Sequence, residues 1–169
     1  MDPTARAIID RYRLQPIPGE GGWFTQTWRS DTVLPRGALT AYDTDKPAGT
    51  AILALFCDEP EGYSALHRLP TTEVWNFCAG DPFMLLLLGE GAAAQVSLGP
   101  DITGRDRPQV IVPAHTWMGG RIAPGGRFSL LGCTLAPGFT EDDVEMGDRA
   151  ELTATYPGYA AEIASLTRS

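Results

Sequence analysis

The sequence predicts an all-β fold, a sandwich or barrel of short strands with a short helix near each end of the chain. Nine short segments rich in apolar, aromatic or β-branched residues follow one another, and each is bounded by glycine or proline. Glycine (19) and proline (14) are frequent but have no repeating period, which is typical of many strands joined by tight turns. Because the 169 residues contain no repeat, linker or low-complexity segment, we expect residues 1–169 to form one domain.

The first predicted element is a helix over Pro3–Arg13. Its apolar side chains recur at spacings of three and four and share one face: Ala5, Ile8, Ile9 and Tyr12. Prolines and a glycine-rich turn follow and end the helix.

The predicted strands then run in order, separated by turns, with residues 31–37 expected to be loop. They are Gly22–Arg29, Thr50–Cys57, Ser64–Arg68, Glu73–Ala79, Phe83–Leu88, Ala93–Leu98, Gln109–Val112, Trp117–Arg121 and Phe128–Cys133.

The C-terminal part has a different pattern. Thr140–Asp143 predicts a short helical turn capped by Thr140, and the charges of Glu145–Glu151 predict a surface stretch. A terminal helix is predicted over Pro157–Leu166, with its apolar residues on one side.

Charge and cysteine content limit the partners and the location. The net charge of −8 and a single lysine, Lys46, argue against nucleic acid, which needs clustered basic side chains. The longest apolar run, Phe83–Leu88, is too short to cross a bilayer, so no membrane partner is expected. Three cysteines without CxxC spacing, and no signal peptide at the N-terminus, predict a cytoplasmic protein with buried, inert thiols.

Residues 62–80 resemble the first sequence motif of the cupins. In that family a glycine leads to an HxH pair, and a glutamate and a second glycine follow. His67, Glu73 and Gly80 keep this spacing, whereas Leu69 stands at the second histidine of the pair.

Residues 113–120 (PAHTWMGG) look like the second cupin motif. Met118 stands at the metal-ligand histidine of that motif, and His115 stands at its glycine. Each motif therefore matches the spacing of its cupin counterpart but lacks one of the expected histidines.

Further matches extend the resemblance from about Leu14 to Met146, and they include the segments Glu20–Phe24, Thr27–Ser30 and Ala136–Phe139. The chain is similar to an uncharacterised branch of single-domain cupins, which usually has a His-Pro pair where this chain has Pro18-Gly19. The resemblance implies a double-stranded β-helix barrel, usually a homodimer, with a pocket lined from the two motifs. Because cupins have many activities, the function must be argued from the site.

Within the first motif, His67 with Leu69 beside it and Glu73 following predicts a proton-transfer pair, His67 and Glu73, in an apolar pocket. Burial raises the pKa of a carboxyl group and a nearby imidazolium lowers it, so such a pair is a candidate for acid–base catalysis. A metal site would need a third ligand, which only His115 offers, and regular strand alternation directs it away from the face of Met118. We therefore expect no metal or other cofactor, and keep a weak site of His67, Glu73 and His115 as the alternative.

Other residues are predicted to bind the ligand. Regular alternation after Glu73 places Trp75 and Phe77 on its face, which suits a planar or ring-shaped molecule. Arg68 or Arg121 is expected to orient an anionic group. The full predicted ligand-binding set is Ser64, Arg68, Trp75, Phe77, Trp117, Met118, Arg121 and Trp23.

Three functional hypotheses follow. The first is a small-molecule-binding cupin that acts as a metal-independent isomerase or epimerase on a sugar-like or polar ring substrate. The second is a metal-dependent dioxygenase or isomerase, and the third is a non-catalytic binding or sensing protein.

Overall fold

A computed structural model describes residues 1–40 and 42–168 of the chain. It begins with helix α1 (Pro3–Tyr12), which Asp2 caps by accepting hydrogen bonds from the amides of Thr4 and Ala5. Helix α1 buries Ala5 and Ile9 against the sheet that follows.

Two antiparallel sheets form the body of the protein. The six-stranded sheet has the order β1 (Gln15–Pro16), β2 (Trp23–Arg29), β5 (Thr50–Cys57), β12 (Phe128–Leu135), β7 (Glu73–Gly80), β10 (Gln109–Val112). The five-stranded sheet has the order β13 (Glu145–Met146), β6 (Ser64–Arg68), β11 (Trp117–Ile122), β8 (Phe83–Gly89), β9 (Ala92–Leu98). A separate pair joins β3 (Val33–Leu34) to β4 (Lys46–Pro47). The predicted fold class, a double-stranded β-helix of short antiparallel strands, is confirmed.

Residues from both sheets meet in the main core. Phe56, Trp75 and Phe83 pack together there, with ring centroids 4.9 to 6.3 Å apart. A second apolar cluster lies on the outer face of the five-stranded sheet, where Leu66 packs with Leu152 and Ile163 from the C-terminal helices. The helices therefore cover the back of this sheet and leave the space between the sheets free.

The structure departs from the predicted elements in three places. The expected loop over residues 31–37 contains β3, and the expected surface stretch over residues 145–151 contains β13 and the start of helix α2 (Arg149–Thr155). Strand β13 forms because the outer edge of β6 offers it a pairing partner. The predicted terminal helix is a 3-10 turn over Pro157–Tyr159 that leads into helix α3 (Ala160–Leu166). None of the helices in the described part of the chain is long and apolar enough to cross a bilayer.

Candidate functional site

A cavity of about 550 Å³ lies between the two sheets. Strands β2, β5, β6, β7 and β12 contribute its walls, together with the segments 15–20 and 139–144. The lining is largely apolar and aromatic, including Phe24, Phe56, Trp75 and Leu135. A few polar groups in such a lining are typical of small-molecule sites.

His67 enters this cavity from β6 and is 3% exposed. Its Nδ1 lies 2.8 Å from the carbonyl oxygen of Ala65. Because a carbonyl only accepts hydrogen bonds, Nδ1 carries a proton, and Nε2 is the nitrogen that gains or loses a proton when the ring changes its charge. Nε2 lies 3.6 Å from Oε2 of Glu20. The ring is thus fixed with its basic nitrogen beside a carboxylate.

Glu20 is a residue of this site for which the sequence predicts no role. It precedes Gly21 and Gly22, which have φ values of 97° and 72° in the left-handed region. A Cβ atom on Gly21 would lie 2.5 Å from the carbonyl oxygen of Tyr63, so only glycine allows this close approach. The carbonyl oxygen of Glu20 accepts a hydrogen bond from the amide of Ala65, 2.9 Å away, which fixes the turn to the strand of His67.

Glu73 lies at the start of β7 and is 5% exposed. Its Oε2 has no hydrogen-bond partner among the described residues. Burial raises the pKa of Glu73 from 4.5 to about 7. The positive charge of His67 in its protonated form reduces this effect, and the negative charge of Glu20 increases it. This side chain can therefore be either a carboxylic acid or a carboxylate near neutral pH.

Trp75 lies two residues further along β7 and lines the same cavity. Its indole Nε1–H is buried, and no acceptor for it occurs in the part of the chain that the structure describes. The Trp75 and Cys133 side chains nevertheless lie close enough to the Glu73 carboxyl group to lower its pKa, so the unpaired oxygen and the unpaired indole N–H are neighbours in one part of the lining. Buried polar groups are rarely left unpaired, so these two atoms point to a ligand or water.

The segment Phe139–Met146 closes one side of the cavity. Phe139, Glu141 and Val144 line it, and β13 pairs Met146 with His67. Two ion pairs hold this closing segment on the barrel. Buried Lys46 pairs with Asp143 and also donates to Thr140, whereas Arg68 donates to both carboxylate oxygens of Glu145 at 2.7 and 2.9 Å.

Four residues of the predicted ligand-binding set lie on the outer face of the five-stranded sheet. The Arg68 guanidinium packs 4.4 Å over the ring of Trp117, and Arg121 donates to the carbonyl oxygen of Ser165 in α3. Because side chains alternate along β6, Ser64 lies on the same face of the strand as Arg68, and His67 lies on the opposite face. These residues therefore lie outside the cavity lining that the sequence predicted for them.

Three further residues of that set lie near the cavity but do not line it. Met118 is 1% exposed in the core. Phe77 shares the face of Trp75 but pairs with Leu131 in packed core, beside a bulge at Cys78. Trp23 alternates with Phe24, which faces the cavity, and so packs on the other side of β2.

Comparison with known proteins identifies the family. The sequence model of the cupin superfamily family DUF985 matches residues 6–147. The chain belongs to this family. None of the proteins with curated function matches it.

Solved structures agree with this membership of the cupins. A hypothetical protein from Leishmania major is 29% identical, with a TM-score of 0.84 over 98% of this chain and 99% of its own. A protein from Shewanella oneidensis is 31% identical, with a TM-score of 0.83 over 97% of each chain. A cupin 2 domain-containing protein from Halorhodospira halophila shares the fold, with 15% identity and a TM-score of 0.56 over 88% of this chain and 84% of its own.

The donor set of this cupin does not fit the metal site that its superfamily suggests. Leu69 lines the cavity with an aliphatic side chain, and Met118 is buried in the core. His115 lies in the turn before β11, with a φ of 63°, and lines a different cavity together with Lys46 and Arg68. Within residues 1–40 and 42–168, no three His, Cys, Asp or Glu side chains are arranged to hold a metal ion.

Proposed function

We propose that this cupin binds a small ring-shaped molecule in the cavity and catalyses metal-independent proton transfer, as an isomerase or epimerase of a sugar-like or polar ring substrate. The observation that carries the proposal is Glu73, a buried carboxyl group with an unpartnered oxygen and a pKa of about 7, beside an oriented histidine. A general acid or base is most effective when its pKa is close to the working pH.

The geometry suggests a role for each group. Neutral His67 accepts a proton through Nε2 from a carbon next to a carbonyl group, and the electron pair moves to the carbonyl oxygen. Protonated Glu73 gives its proton to that oxygen, which produces an enol and a Glu73 carboxylate. The Glu20 carboxylate, 3.6 Å from Nε2, stabilises the imidazolium that forms.

Return of the protons completes the reaction. For epimerisation, the Glu73 carboxylate takes back the proton of the enol hydroxyl, and the imidazolium delivers a proton to the other face of the original carbon, which requires a turn of the intermediate. For isomerisation, the carbon that lost its proton must carry a hydroxyl group, so that the intermediate is an enediol. The Glu73 carboxylate then takes the proton of that second hydroxyl, the imidazolium delivers a proton to the former carbonyl carbon, and the new carbonyl group forms on the neighbouring carbon.

Solvent deuterium exchange tests this proposal. A panel of ring-forming aldoses and ketoses is incubated with the protein in D2O and EDTA, and exchange at carbon is followed by proton NMR. We expect exchange with at least one member and a loss of about 100-fold or more in both His67→Asn and Glu73→Gln. Glu90→Gln removes an exposed carboxylate in the turn after β8 and should leave the rate unchanged.

Exchange that persists in both variants would contradict the assigned roles. Shifts of cavity resonances without any exchange across the panel would instead favour the third hypothesis, a non-catalytic binding protein.

The proposed homodimer has a suitable surface on the back of the six-stranded sheet. Two rows of residues cross its five longer strands in register, and none of the ten is charged or buried: Trp28, Ala51, Thr134, Val74 and Ile111; Thr25, Leu53, Gly132, Asn76 and Gln109. Each copy carries a net charge of −8, so a charge-free face is where two copies approach with the least repulsion. A dimer with its two-fold axis through this face would bury Trp28 and Ile111, which are 50% and 60% exposed in one chain.

A cytoplasmic location remains part of the proposal. The three cysteines are free, and Cys57 and Cys133 are buried as predicted. The prediction of a buried thiol is wrong for Cys78, which is exposed because it lies at the bulge of β7. Burial raises the pKa of the Cys57 and Cys133 thiols, which makes them poor nucleophiles and supports the structural role predicted for them.

A further inference from the structure

The charged groups that line the cavity are predominantly acidic. Glu20, Glu73 and Glu141 contribute three carboxyl groups, and His67 contributes at most one positive charge. Among the described residues of the lining there is no lysine or arginine. An anionic ligand would therefore meet carboxylates without a basic partner.

The basic side chains nearest in sequence to the strands and segments of the cavity form ion pairs or hydrogen bonds with groups outside the lining. Lys46 is paired with Asp143, Arg68 with Glu145, and Arg121 with the carbonyl oxygen of Ser165. Arg29 is exposed and lies 3.5 Å from the carbonyl oxygen of Phe139 on the outside of the closing segment. The sequence-based expectation that Arg68 or Arg121 orients an anionic group has no support in this arrangement.

One of these acidic groups, Glu73, has a buried oxygen without a hydrogen-bond partner among the described residues. The Oε2 atom of Glu73 accepts no hydrogen bond from the described residues, although Glu73 is only 5% exposed. The stacked rings of Phe56 and Trp75, with an interplanar angle of 15°, offer flat surfaces in the same lining. Aromatic faces attract cations as well as planar rings.

We infer that the molecule bound in this cavity is a ring that carries a cationic nitrogen group, and not a carboxylated or phosphorylated ring. The negative charges of Glu20 and Glu73 attract the cationic group, and one flat face of the ring packs against Phe56 and Trp75. The inference rests on the proposed function, because it concerns the ligand of the same cavity.

Three planar probes of nearly equal shape test the sign of the charge: benzamidine is a cation, benzamide is neutral and benzoate is an anion. Each is titrated into 15N-labelled protein at pH 8 with EDTA, and the indole N–H signals of the four tryptophans are followed. The Trp75 signal reports on the cavity, whereas that of exposed Trp28 reports on binding outside it. We expect benzamidine to shift the Trp75 signal with a Kd at least about tenfold lower than that of benzoate, with benzamide between them.

Variants separate the carboxylates of the cavity from the overall negative charge. Glu20→Gln and Glu73→Gln should each reduce the preference for benzamidine over benzoate at least about threefold. Glu90→Gln removes the same charge from an exposed turn and should leave the preference unchanged.

The outcomes distinguish the two proposals. Equal or tighter binding of benzoate at Trp75, or a preference that both cavity variants retain, would overturn the inference and leave small-molecule binding intact. No shift of the Trp75 signal with any of the three probes would also overturn the inference, whereas the proposed function is contradicted by a separate result, deuterium exchange that persists in His67→Asn and Glu73→Gln.

Discussion

The Nε2 atom of His67 lies 3.6 Å from Oε2 of Glu20, and both residues are fixed by the backbone of Ala65. The amide of Ala65 donates to the carbonyl oxygen of Glu20, and its carbonyl oxygen accepts from Nδ1 of His67. A turn and a strand from distant parts of the sequence thus hold an imidazole and a carboxylate in one orientation. Such fixed orientation is what acid–base catalysis requires of its groups.

The Gly21 turn should be sensitive to substitution because it places Glu20. In Gly21→Ala, the new Cβ would lie 2.5 Å from the carbonyl oxygen of Tyr63 and 2.8 Å from that of Glu61, and the φ of 97° adds strain. Gly19→Ala is the matched control, since Gly19 also has a positive φ but has no neighbour within 4 Å of the added Cβ. We expect urea unfolding to show a loss of about 1–2 kcal/mol for Gly19→Ala and a clearly larger loss for Gly21→Ala. Equal losses of unfolding free energy in the two variants would show that the backbone around Gly21 has room for a Cβ atom.

Glu73 should make the stability of the protein depend on pH. Burial raises its pKa from 4.5 to about 7 in the folded protein. The groups that act on it there are His67 on β6, Glu20 on the adjacent turn, Trp75 on β7 and Cys133 on β12. The folded state then holds the proton more tightly than the unfolded chain, so the free energy of unfolding falls as the pH rises from about 4.5 to about 7 and changes no further above that. At about 1.4 kcal/mol per pKa unit, the loss reaches about 3 kcal/mol.

The comparison with Glu73→Gln isolates this effect from other titrating groups. Urea unfolding of both proteins between pH 4 and pH 9 should show the variant gaining stability relative to the wild type across that interval. Parallel curves would mean that Glu73 does not titrate in this range.

Alternation along the strands explains how much of the site the sequence could predict. His67, Glu73 and Trp75 line one cavity. The sequence could indicate their proximity because the first motif contains all three, and Glu73 and Trp75 alternate along one regular strand. The same alternation predicts that Ser64 and Arg68 face away from the side of β6 on which His67 lies, because each is an odd number of residues from His67.

The rest of the site depends on tertiary structure that has no local sequence signal. Glu20 reaches His67 only because the glycine turn bonds to β6, some 45 residues later in the sequence. The face of Trp117 and Arg121 was not predictable until the C-terminal helices were known to pack behind β11. The bulge at Cys78 likewise depends on pairing with β12 and not on the residues of β7 alone.

The buried ion pair of Lys46 and Asp143 should hold the closing segment in place. Lys46→Met leaves Asp143 without its cation, and its side chain is only 8% exposed, so we expect a loss of about 3 kcal/mol in the free energy of unfolding. The double variant Lys46→Met/Asp143→Asn should recover part of this loss, because the buried charge is also removed.

The exposed ion pair on the same segment provides the comparison. Arg68 and Glu145 have side chains that are 36% and 56% exposed, so Arg68→Met should cost no more than about 1 kcal/mol. A larger loss for Arg68→Met than for Lys46→Met would contradict the role given to Lys46.

The proposed dimer predicts a molar mass by light scattering of about 36 kDa, twice the 18.2 kDa of one chain. Introducing like charges into the charge-free face, in Trp28→Lys/Ile111→Lys, should shift the protein toward the monomer. Ile102→Lys is the control, because Ile102 is 63% exposed but lies outside the two rows. A wild-type monomer, or a double variant that stays dimeric, would rule out this face.

The most direct test of the site is the titration of the Glu73 side chain itself, followed by the 13C signal of its carboxyl carbon and assigned with Glu73→Gln. Enclosure of Glu73 with His67 between the sheets predicts a midpoint near pH 7. A midpoint near 4.5, the ordinary value for glutamate, would show that water reaches this carboxyl group freely and would contradict the proposed catalytic cavity.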